Sequence, residues 1–388
     1  MSKPGTGVRR MFLGSELVGS ADKLPSRIEV EEDDADRPPH SPDLGQVARL
    51  ARLAQRGVLD FVSIDETLAG NPPFSGRRRS GLDAIRLATR LAPATEGIFL
   101  APLVRASWVE PSGLLEALIT LEIASAGRHG WELVLQDGAA PAGHTGELLT
   151  AVVQDTWSDA DPLTRLAASA RATRRRKLSW AAAEGRAHLR PRHPVQVMRA
   201  DTPEAAALAA EKADVARVTA RTHAQAASAR SALREAAADR GRDPSDLKVL
   251  VDLTVTLADV PSHAEARKDM IEELMGRRLG GAGARFVGTP SALAGWCAEW
   301  VLADGCDGFT FLPTSLPQDL ILLVSVVAPT LAEAGHTRRA YRLPQGAAGP
   351  RAVPVPRPRP PARPRGREPA APQTEPPPRG VAPARSSP

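Results

Sequence analysis

Residues 108–131 read WVEPSGLLEALITLEIASAGRHGW, and the fold turns on how this stretch divides. Pro111 suits the first position of a helix, where its missing N–H costs nothing. The apolar run after it is helix-like as far as the small Ser125-Ala126-Gly127 corner, where Gly127 is expected to end the helix. A strand-like run, Trp131–Gln136, then begins almost at once. A helix that hands over to a strand across so short a corner belongs to an α/β chain, and at such corners these folds keep either nothing of note or a fragment of their active site.

The same alternation extends in both directions. Upstream, residues 11–18 and 58–64 read as strands, and residues 43–56 set Val47, Leu50, Leu53 and Ala54 on one helical face before Gly57. A helix over 82–92 and a strand over 97–104 complete the first half. Downstream, strands are expected at 194–200, 214–220, 247–257 and 307–313. Helices are expected at 146–157, 202–213, 222–241, 262–278, 290–303 and 317–334. Eight strand–helix units without a sustained break predict a closed (β/α)8 barrel of the TIM type over residues 11–343, preceded by a flexible N-terminus at 1–10.

From Pro344 onward the composition changes to fifteen prolines, eight arginines, two glutamates and no aromatic residue. Such a segment buries too little apolar surface to offset its ordering entropy, so residues 344–388 read as a disordered Pro/Arg-rich tail. Eight Arg against two Glu give the tail +6, so residues 1–343 carry −1 of the overall +5. The basic character is thus the tail's, and no specific nucleic-acid partner is expected of the folded part. The N-terminus lacks the apolar core of a secretory signal, and the longest apolar run, residues 321–328, is too short to span a bilayer. No membrane contact and a cytoplasmic location are expected. Cys297 and Cys306 are too few for a disulfide framework, and no metal-ligand spacing occurs, so no metal is expected.

The chemistry-bearing motifs are modest. Gly280-Gly-Ala-Gly283 follows a helix and lacks dinucleotide spacing, which leaves a flexible connection. The triple arginine at 77–79 and the RRRK run at 174–177 offer charge for phosphates, but runs like these are usually solvated faces. Asp65-Glu66 ends the second strand, on the face where barrels carry catalytic groups, and a loop or capping role is the alternative. In Arg199-Ala-Asp-Thr-Pro203, Asp201 or Thr202 would cap a helix starting at Pro203, and such an N-terminus can also receive an anionic group.

The order of these pieces resembles the bacterial-luciferase-like flavin monooxygenases, in the branch of the nitrilotriacetate and dibenzothiophene-sulfone monooxygenases. The matching runs are RLAQRGVLDFVSIDE at 52–66, LDAIRLATRLAPATEGIFLAPLV at 82–104, Glu110-Pro111 followed by Thr120-Leu-Glu122 and SAGRHGW at 125–131. They continue with PVQVMRADTPEAAALAAEKADV at 194–215, VGTP at 287–290, GCDGFTFLP at 305–313 and VVAPTLAEAG at 326–335. The resemblance implies a barrel that holds reduced FMN, or coenzyme F420 as the alternative, at the C-terminal ends of its strands. It implies a separate flavin reductase, O2, a small organic substrate and a homodimer. It also implies a site of Asp65 or Glu66, Ser107, Trp108, Arg128, Trp131, Gln136, Asp201 and Thr202 around the cofactor.

Several positions depart from the family pattern. Trp108 stands where relatives have His, and Ser112-Gly113 replaces a second aromatic–His pair. Glu132 replaces Asn or another polar residue, and Leu135-Gln136 replaces a Thr-Ser ending. Arg-Ala-Asp-Thr at 199–202 replaces a Gly- and Ser-rich turn, putting Asp201 where a phosphate would be repelled unless Arg199 or Arg105 offsets it. These departures leave two readings: a flavin-dependent monooxygenase with an unusual pocket, or a degenerate barrel that binds without catalysing.

Overall fold

The computed structural model describes residues 10–17, 44–65, 82–135, 143–158 and 193–341 apart from 277, 280 and 282. Nine strands form one parallel sheet: β1 Phe12–Glu16, β2 Phe61–Ile64, β3 Phe99–Arg105, β4 Gly130–Val134, β5 Val195–Arg199, β6 Val215–Val218, β7 Lys248–Leu257, β8 Ala284–Gly288 and β9 Gly308–Pro313. Eight of them close a ring. β1 pairs with β2 on one side, Gly14 against Phe61, and with β9 on the other, Gly14 against Thr310. β6 meets β7 and β7 meets β9, so β1 through β7 and β9 form the TIM-type barrel expected from the sequence.

β8 is the element that sequence patterning does not reveal. It follows the Gly-rich corner and pairs with the upper half of β7, from Leu253 against Ala284 to Leu257 against Gly288. β7 is ten residues long because its lower half pairs with β6 and its upper half with β8. β8 therefore extends the barrel wall at the C-terminal end.

The helices cover the ring: α1 Leu44–Arg56, α2 Asp83–Leu91, α3 Pro111–Ser125, α4 Gly143–Ser158, α5 Pro203–Lys212, α6 His223–Asp239, α7 Pro261–Met275 and α8 Pro290–Leu302. A last pair, α9 Gln318–Leu322 and α10 Ala328–Glu333, is joined by one wide turn, Leu323–Val327. Pro329 has no N–H to give the ladder at this point, and the turn widens just before it. The helix-facing strand residues, such as Leu13, Val62, Leu100, Trp131 and Phe309, are buried with the apolar helix faces in one continuous core. No described helix is long and apolar enough to cross a membrane. The expected N-terminus 1–10 (bar Arg10) and the tail 344–388 lie outside the described residues.

The opening corner has a definite geometry. Ala126 already turns left-handed, at φ 55° and ψ 44°, and Gly127 follows at φ 79°. The helix thus ends one residue earlier than the glycine predicts. The Gly127 N–H donates to the Glu122 carbonyl at 2.9 Å and that of Ala126 to Ile123 at 3.3 Å, satisfying two end carbonyls of α3.

Candidate functional site at the C-terminal end of the barrel

Strand alternation decides what faces the barrel lumen. The lowest layer is apolar: Phe61, Ala101, Val197 and Leu250 cluster there with Phe12, Phe99 and Val215. Gly14 belongs to this layer, since a Cβ on it would lie 2.2 Å from the Phe61 ring. Above it the lumen is charged. Arg217 from β6 is fully buried and donates through Nε to Asp252 Oδ1 at 2.7 Å, through Nη1 to Glu132 Oε1 at 2.7 Å and through Nη2 to Glu16 Oε1 at 2.9 Å. Arg199 from β5 donates to the same two glutamate oxygens, at 2.9 Å to Glu132 and 2.7 Å to Glu16. The Ser63 hydroxyl donates to the other Glu132 oxygen at 2.6 Å. Five charged side chains from β1, β4, β5, β6 and β7 are thereby tied across the barrel.

Burial works against the charges of Glu132, Arg199, Arg217 and Asp252, and the partners decide the outcome. It would lift the Glu132 carboxyl, but Arg217 and then Arg199, with the Ser63 hydroxyl, hold it below the usual carboxylate range. It also opposes the charge on Arg217, which Asp252, Glu132 and Glu16 nevertheless raise well above its ordinary value. At Asp252 burial wins: its carboxyl lies above the ordinary range despite the pull of Arg217.

Some of the residues expected of the site stand at the rim above. Asp65 stands at the C-terminal end of β2 and pairs with Arg105 at the end of β3, 3.5 Å away. The Arg105 guanidinium lies over the half-buried Trp108 ring, 5.3 Å from its centre. Ser107 shares the tight turn Ala106–Trp108 and is exposed. Asp65, Ser107 and Trp108 are thus neighbours on one side of the mouth. Glu66 and Gln136 lie outside the described residues.

Two expected residues are elsewhere. Arg128 precedes β4, at the N-terminal end of the barrel, where its guanidinium donates to the carbonyls of Ala92, Thr95 and Ile98 and to the Thr95 hydroxyl at 2.9 to 3.2 Å. It fastens the end of α2 to the start of β3, far from the mouth. Trp131 neighbours the inward Glu132, so alternation turns it outward into the helix-facing core, where it is fully buried. Asp201 and Thr202 do flank the mouth, but both are engaged. The Thr202 hydroxyl accepts from the Ala205 N–H at 3.2 Å as the cap of α5, and Asp201 accepts from the Thr219 hydroxyl at 3.1 Å.

The patterning of the sequence missed Arg217 and Asp252, although a charge inside the apolar runs of β6 and β7 was the available signal. Glu132 and Arg199 are visible as departures from the family pattern, but nothing local says that they meet.

Residues 26–299 match the family model described as luciferase-like monooxygenase. The chain belongs to the luciferase-like monooxygenase family. It is 23% identical to N-acetyl-S-(2-succino)cysteine monooxygenase of Bacillus subtilis (strain 168), covering 78% of this chain and 88% of that protein. It is also 23% identical to nitrilotriacetate monooxygenase component A of Aminobacter aminovorans, over 79% and 89% of the two chains. Among solved structures, EDTA monooxygenase from Chelativorans sp. BNC1 superposes with a TM-score of 0.65 at 19% identity, covering 86% of this chain and 96% of that one.

Members of this family use reduced FMN or coenzyme F420. The rim group of Asp65, Arg105 and Trp108 fits the edge of a flat conjugated ring, offering a carboxylate, a guanidinium and an aromatic face. The β5–α5 turn does not fit a phosphate. Its helix N–H is capped by Thr202, the Asp201 carboxylate stands beside it, and Arg199 is held below by two glutamates.

Proposed function

We propose that this chain is a flavin-dependent monooxygenase that acts on a small organic substrate with O2 and reduced FMN, the flavin supplied by a separate reductase. One observation carries the reading: the Asp65–Arg105–Trp108 group at the C-terminal mouth of a closed barrel, in a chain of the luciferase-like family. A named component A among the relatives supports a reductase partner. The cofactor, when bound, supplies two electrons, so that one oxygen atom enters the substrate and the other leaves as water. The protein's own part is to orient and to exclude water. The apolar floor of Phe61, Val197 and Leu250 seals the lumen from below, and Trp108 with Arg105 shields one side of the mouth.

Titration of the purified chain with reduced FMN, oxidised FMN and F420, followed by absorbance and tryptophan fluorescence, tests this reading. Saturable binding of reduced FMN is the expected result, and absence of binding of all three at millimolar ligand overturns it. A second reading, a non-catalytic binding barrel, is favoured by the engaged β5–α5 turn. Substrate oxygenation by the flavin-loaded chain would exclude it.

A further inference from the structure

The two guanidiniums of the lumen are unequally used. Arg217 is fully buried and donates four hydrogen bonds, two to Asp252 and one each to Glu132 and Glu16. Arg199 donates only two, through Nε to Glu132 and through Nη2 to Glu16, and its Nη1 donates to no group among the described residues. A guanidinium carries five N–H donors, so both Nη1 hydrogens and one on Nη2 are unspent. Together they form the outer fork of the group, whose geometry matches the two oxygens of a carboxylate.

This fork is within reach of a ligand. The Arg199 side chain is 28% exposed, against 7% for Glu16 and 0% for Arg217 and Glu132. It ends β5, and the apolar floor closes the lumen beneath it, so its exposed surface opens toward the mouth. The opposite edge of the guanidinium is fixed by Glu132 and Glu16. The fork is therefore held in place before a ligand arrives, and little side-chain freedom is lost on binding. The glutamate oxygens that receive Arg199 also receive Arg217, at 2.7 and 2.9 Å, so neither glutamate is devoted to Arg199 alone. A permanently charged, planar group with donors only selects a planar acceptor that carries negative charge.

We infer that Arg199 anchors the substrate by a carboxylate, held on the outer fork of its guanidinium. Assigning that carboxylate to the substrate rests on the monooxygenase reading, but the anion site stands on Arg199 alone. A carboxylate has acceptors and no donor, so it meets the unspent N–H groups without leaving a proton of its own unpaired. The remainder of the molecule would then extend upward toward the rim.

The test is ligand-observed NMR titration of the full-length protein, without cofactor and at low ionic strength, using sodium propionate and its neutral isostere propionamide as probes. Saturable binding of propionate that weakens as salt is raised is expected, with none for propionamide. Arg199→Lys keeps a positive charge for both glutamates but has no fork, and is expected to weaken propionate about tenfold. Thermal unfolding shows whether that variant keeps the barrel. The inference is overturned if propionate does not bind the parent protein at millimolar ligand, if propionamide binds as well, or if folded Arg199→Lys binds propionate like the parent. FMN and riboflavin are titrated against the same two proteins. A loss of FMN affinity in Arg199→Lys that riboflavin does not share would give the fork to the cofactor's phosphate and overturn its assignment to the substrate. Absence of flavin binding by the parent with propionate binding kept removes the oxygenase reading alone, whereas the reverse removes the carboxylate site alone.

Discussion

At the scale of the residue, Arg128 shows how one motif can serve a structural end in a functional-looking place. Four of its hydrogen bonds, three of them to backbone carbonyls, are made at the N-terminal end of the barrel, in the loop that joins α2 to β3. Replacing it by Met keeps the apolar stem but leaves those oxygens without a charged donor. Arg128→Met is therefore expected to lower unfolding stability by about 2–3 kcal/mol, as hydrogen bonds to a charged group are lost from a partly buried site. Because the residue is at the opposite end from the mouth, the same variant is expected to bind reduced FMN like the parent protein. Urea unfolding measures the first effect and flavin titration the second, and a tenfold loss of flavin affinity in a stable Arg128→Met protein would contradict this placement. The sequence already sets this Arg before the strand, but it does not show that the guanidinium is spent on the carbonyls of Ala92, Thr95 and Ile98.

Among the elements, three helices start alike. Thr202, Thr222 and Thr289 each accept the N–H of the residue three positions on, at Ala205, Gln225 and Ala292. This is legible from Thr-Pro at 202–203 and 289–290, since a capping hydroxyl followed by proline needs no tertiary information. It also separates two roles for Thr202. As a cap only, Thr202→Ala is expected to cost about 1 kcal/mol, a fall in Tm of about 2 °C for a barrel of this size. It would then leave the ratio of FMN to riboflavin affinity unchanged. A selective loss of FMN affinity would show that the hydroxyl holds the phosphate instead. β8 was not legible at this scale. Its burial pattern is mixed, with Arg285 exposed and Phe286 and Val287 half-buried, so it lacks the apolar run of a barrel strand, and a glycine-rich corner precedes it. Only the overhang of the ten-residue β7 gives it a partner.

For the whole molecule, the ring of eight strands is what the sequence foretold, because each strand and helix declares itself within a few residues. The charged lumen was not foretold, because its partners lie 35 to 201 residues apart and meet only when the ring closes. That closure also sets the protein's response to pH. Glu132 is held below the ordinary carboxylate range in the folded state, so folding favours its ionised form. Its stabilising contribution is present above the unfolded value, about 4.3, and is lost as pH falls through the lower folded value. Asp252 has the opposite sign. Its folded value is raised, so its contribution is present at low pH and lost as pH rises through that value. Glu132→Gln leaves the buried Arg217 and the half-buried Arg199 with one carboxylate fewer, and is expected to cost about 3–5 kcal/mol at pH 7. The penalty should shrink as pH falls below the unfolded carboxylate value and through the lower folded one, where the parent protein itself loses the Glu132 charge. Stability of both proteins measured by urea unfolding between pH 3 and pH 7 checks this. Parallel curves separated by a constant gap would show that Glu132 is not the group that ties the lumen's stability to pH, whereas convergence toward acid pH would assign it that role.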